Sequence, residues 1–79
     1  MTAERVLVQS PLLYKLVRDE GGALVLEVVV GAAVLRSVRV RLDAQEEEAY
    51  AREGQAFVDR LARAVLADPP FGGRSIEVP

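Results

Sequence analysis

The feature that most constrains this chain is a helix signal with both of its ends marked. Leu42-Asp43-Ala44-Gln45-Glu46 reads as a helix start. Asp43 can accept a hydrogen bond from a free N–H of the first turn, and Glu46, three residues on, can reach back in a capping box. Glu46, Glu47 and Glu48 then stand where the helix macrodipole favours negative charge. They fan around a helix instead of converging, so capping accounts for them and a metal or acid–base site does not. The far end is closed by Pro69-Pro70, because proline disfavours helical geometry at the residue before it.

Between these marks Tyr50, Gly54, Phe57, Val58, Leu61, Ala62 and Val65 keep a three–four spacing and form one apolar stripe. Glu48→Arg52 and Asp59→Arg63 add i,i+4 pairs in the favourable order. The expectation is a single helix over 44–67, roughly 35 Å long. Gly54 inside the stripe costs up to about 1 kcal/mol relative to alanine, and close approach of the helix to a sheet is its expected reason.

Ahead of the helix the period changes to two. Residues 12–18 read as a first strand, Asp19-Glu20-Gly21-Gly22 as a hairpin loop, and residues 23–30 as a second strand. Gly31-Ala32-Ala33 makes a second tight connection, and residues 34–42 form a third strand leading into the cap. Residues 5–9 are either an edge strand or a flexible arm, broken from the rest by Ser10-Pro11. After the helix, residues 68–74 are a linker in which Phe71 packs under the helix end, and 75–78 alternate as a further edge strand before Pro79. The predicted fold is therefore α+β: a three- to four-stranded antiparallel meander with one long helix across one face, a single domain over 1–79.

Alternation assigns the faces. Tyr14, Leu16, Leu24, Leu26, Val28, Val30, Val34, Val38, Val40 and Leu42 face the helix. The opposite set is Leu13, Lys15, Val17, Val25, Glu27, Val29, Leu35, Ser37, Arg39 and Arg41. A plain solvated face would be polar throughout. This one carries five large apolar residues among charges, the pattern of a contact surface or of a face covered by the chain's own ends.

Chemistry is narrowed by what the chain lacks. It has no histidine and no cysteine, which removes the commonest general base, most transition-metal sites and every Ser–His or Cys–His nucleophile. The hydroxyls of Thr2, Ser10, Ser37, Ser75, Tyr14 and Tyr50 have no base at an activating spacing, so no enzyme activity, cofactor or metal is read here. Gly72-Gly73-Arg74-Ser75 lacks the strand–loop–helix context of a phosphate site and reads as a turn. Arg36, Arg39 and Arg41 lack the aromatic platform of single-strand nucleic-acid binders and read as solvated strand charges.

Charge is uneven. Residues 1–42 carry six basic and four acidic groups, hence +2, whereas 43–79 carry four and eight, hence −4. Residues 23–35 are too short and too interrupted to span a bilayer, and no long apolar run follows Met1, so the expected location is cytoplasmic, without a membrane partner.

A chain of 79 residues buries only about 60% of its unfolded surface, so self-association is the obvious supplement to a small core. The expected function is a non-catalytic protein–protein interaction module that forms a homodimer through the outward sheet face or a strand edge. Its interface would use Leu13, Val17, Val25, Val29, Leu35, Arg39 and Arg41. The alternative is a small monomeric protein of inhibitor, immunity or antitoxin type that binds and regulates a larger protein.

Overall fold

The computed structural model describes residues 4–10, 13–31 and 34–78. They form one five-stranded antiparallel sheet with two helices. The strands are β1 (Arg5–Ser10), β2 (Tyr14–Arg18), β3 (Leu24–Val30), β4 (Arg36–Arg41) and β5 (Ile76–Val78), and they lie side by side in chain order. Helices α1 (Ala44–Glu53) and α2 (Gln55–Ala67) stand between β4 and β5, followed by a short 3₁₀ turn at Phe71–Gly73. Both end segments thus join the sheet as edge strands, which raises the strand number to five. Pro11, Leu12, Ala32, Ala33 and Pro79, on which the expected strand break, strand start, second turn and chain end partly rest, lie outside the described residues.

The core is the helix-facing side of the sheet. Leu16, Leu26, Val28 and Val40 meet Val58, Leu61, Ala62 and Val65 of α2 there. Full burial of one such side chain contributes about 1.5–3 kcal/mol. Nine of the ten residues that alternation sends to this side are buried, and Val34 is the exception at 77% exposure. It belongs to the connection, not to the strand, which begins only at Arg36. Gly31 turns the chain there with φ +109°, so close to the Val34 carbonyl that a side chain on Gly31 would collide with it.

The single long helix is corrected to two. Gly54 takes φ 64° and ψ −137°, outside any helical region, closes α1 through its N–H to the Tyr50 carbonyl (2.8 Å), and opens α2. Its role is this break and not close approach to the sheet, since a Cβ built on it would meet nothing within 4 Å. The physical reason is the glycine itself: its positive φ suits a residue without a Cβ and ends the helical hydrogen-bond ladder, which α2 then restarts. Broken at Gly54, the 13-residue α2 covers the strands with Val58, Leu61, Ala62 and Val65, while α1 buries no residue completely.

The capping box at Asp43 forms as the sequence predicts. Glu46 N–H donates to Asp43 Oδ1, and Asp43 N–H to Glu46 Oε1, both at 2.8 Å. Phe71 is half-buried against the core, at the helix end.

Candidate interaction face

Strand register resolves the outward side of the sheet into three rows. Val6, Val17, Val25 and Arg41 are cross-strand neighbours in the first. Gln9, Lys15, Glu27, Arg39 and Ile76 make the second. Leu13, whose carbonyl accepts the Val29 N–H at 2.9 Å, starts the third, continued by Val29, Ser37 and Val78. A charged row thus runs between two rows that are largely apolar.

The charges of the middle row are bound to one another. Arg39 Nε donates to Glu27 Oε1 at 2.8 Å, and its two terminal nitrogens donate to the two oxygens of Glu4 at 2.8 and 3.2 Å. Lys15 Nζ lies 3.8 Å from the second Glu27 oxygen. Hydrogen bonding from Arg39 holds the Glu4 carboxyl below the usual carboxylate range. The same bonds, from Glu4 first and then Glu27, hold Arg39 above the ordinary arginine value. Two cations and two anions therefore close into a network with no net charge.

The residues expected at an interface fall into four situations. Leu13 (48% exposed) and half-buried Val29 stand in the third row, beside a shallow groove of about 220 Å³ between Gln9, Lys15 and Glu27. Leu35 precedes β4 and is 69% exposed, outside the ordered rows. Val17 and Val25 share the first row, but Val17 is already buried while Val25 is half-buried. Arg39 is the hub of the charge network and Arg41 is exposed at the rim.

Sequence reasoning did not single out Glu4, and it offered residues 5–9 and 75–78 as edge strands without placing Val6, Gln9, Ile76 and Val78 in these rows. The alternation in those end segments was visible. Which strand each would join was not.

Arg74 explains how β5 is held. Its guanidinium donates to both oxygens of Glu46 at 3.0 and 2.6 Å and to the Arg41 carbonyl at 2.9 Å, and it lies 5.2 Å from the centre of the Phe71 ring. Glu46 thereby caps α1 and anchors the segment that brings Ile76 and Val78 to the outward face. On the other side of the sheet, the Tyr14 hydroxyl donates to Asp59 of α2, tying a strand to the helix at the margin of the core. Burial first, then the Asp59 contact, raises the Tyr14 pKa.

Among the described residues, no histidine, cysteine or carboxylate group gathers in a way that could hold a metal ion, and no helix is long and apolar enough to cross a membrane. No protein-family model matches the chain, and no curated protein or solved structure resembles it at a significant level.

Proposed function

We propose that the protein is a non-catalytic interaction module whose outward sheet face meets the same face of a second copy. The observation that carries this reading is the internally balanced charge row between two apolar rows. A buried charge is costly when it lacks a partner, and here every charge of the row brings its partner with it. The middle row, with no net charge, can also meet its own image without like-charge repulsion, as an isologous dimer requires, while Arg41 stays exposed at the rim.

The strand edges support self-contact less well. A bulge between Val6 and Val8 distorts β1, and β5 is three residues long with Pro79 next in sequence. Both are devices that discourage edge-to-edge pairing. Five strands about 4.8 Å apart and about six residues long present roughly 500 Å² of flat area. Two such faces bury on the order of 1,000 Å², the low end of specific interfaces, so the dimer should be concentration-dependent.

Light scattering after size-exclusion chromatography, over a range of concentrations, tests this directly. The wild type should approach twice the monomer mass, and Leu13→Glu or Val25→Asp should return it to monomer. If the variants keep the native mass, the interface lies elsewhere. A wild type that stays monomeric at every concentration moves the reading to a regulator of a larger protein.

A further inference from the structure

Glu4 precedes the edge strand β1, yet it binds Arg39 on β4, three strands away. At about 4.8 Å per strand this is roughly 14 Å across the sheet, a gap that the two long side chains close over the outward face. Val17 stands in the row beside Arg39. It is 1% exposed, although it points away from the helices and its row neighbour Val25 is only half-buried.

The contact also sets the charge of the middle row. Lys15 and Arg39 are balanced by Glu27 and Glu4, and without Glu4 the row is left with one excess positive charge. In a face that meets its own image the excess is doubled, positive against positive. Repulsion of that kind is how an interface rejects a wrong partner.

We propose that Glu4 is the specificity-determining residue of the outward face: seated on Arg39 it makes the middle row of charges neutral and open to a second copy of this chain. This rests on the dimer reading above. The sign of its effect is diagnostic. The whole chain carries −2, so loss of an acidic group should by itself reduce repulsion between copies and favour association. Glu4→Gln should do the opposite.

Sedimentation of the wild type, Glu4→Gln and Glu47→Gln at about 0.01 M and about 1 M salt separates the cases, because the screening length falls from roughly 30 Å to roughly 3 Å. Glu47 is exposed in the first turn of α1, so its variant makes the same change of net charge on the helix side. At low salt the Glu4→Gln dimer should be roughly ten-fold weaker than wild type, with most of the loss recovered at high salt. The Glu47→Gln dimer should be no weaker than wild type. The proposal is overturned if Glu4→Gln dimerises as well as the wild type. It is equally overturned if the loss persists at high salt, which would make Glu4 a support for the chain start and not a charge balance. A wild type that never dimerises removes the dimer reading itself and the role of Glu4 with it, whereas a wild-type dimer with an indifferent Glu4→Gln removes only the latter.

Discussion

On β3, Leu24, Leu26, Val28 and Val30 point toward the helices and are buried, while Val25, Glu27 and Val29 alternate with them and are half-buried. Valine occurs in both sets, so residue type does not separate the two faces. Company does. The inner set meets α2 through apolar side chains alone, apart from Tyr14 at its margin. The outer set interleaves valines with a closed network of charges. The first arrangement holds the fold together. The second is stable in water and can still be covered without stranding a charge, which is what a surface for reversible contact needs.

The largest test of that contrast compares neighbours on one strand. Leu26 is fully buried, and Leu26→Ala should cost about 2–5 kcal/mol through lost transfer energy and the cavity left behind. Val25→Ala, one residue away on the other face, should cost under about 1 kcal/mol in the monomer. Urea unfolding at low protein concentration measures both. Equal losses would mean that the outward face carries as much folding energy as the core.

Val17 sharpens the comparison, because it belongs to the outer face by register and to the interior by burial. Val17→Ala should cost about 2 kcal/mol, close to an inner-face value, since two buried carbons are removed at about 0.8 kcal/mol each and a small void remains. The same unfolding experiment decides it. A loss as small as that of Val25→Ala would mean that the burial of Val17 on the outward side adds little to folding.

These contrasts also show what could be read from the sequence. Strand faces were legible because side chains alternate with a period of two, and the Asp43–Glu46 cap because its partners are three residues apart. Val34 failed the alternation because the strand starts two residues later, at Arg36. The break at Gly54 was hidden because the apolar residues on either side serve the same core: Tyr50 and Phe57 both pack against it, so the three–four spacing runs on across the gap. The contacts that shape the outward face were beyond local reading. Glu4 meets Arg39 across 35 positions and Arg74 meets Glu46 across 28, and no local pattern signals either pair.

The smallest expected effect concerns Tyr14, the polar side chain at the edge of the inner face. Its ring is almost wholly buried and its hydroxyl donates to Asp59, so it joins β2 to α2 by a bond that the outer face does not need. Tyr14→Phe should cost about 1 kcal/mol at neutral pH, the usual net value of one such hydrogen bond. The pH dependence distinguishes this bond from simple packing. Burial, and then the neighbouring carboxylate, raises the Tyr14 pKa in the folded state, because both disfavour the phenolate. A group with a raised folded pKa contributes stability that is fully present below its unfolded value, about 10 for tyrosine, and lost as the pH climbs through the folded value. Wild-type stability should therefore fall above about pH 10 more steeply than that of Tyr14→Phe, so that the two curves converge. Parallel curves would show that the phenol is equally free to ionise in the folded and unfolded chain. The inner face would then be tied to its helix by apolar contact alone.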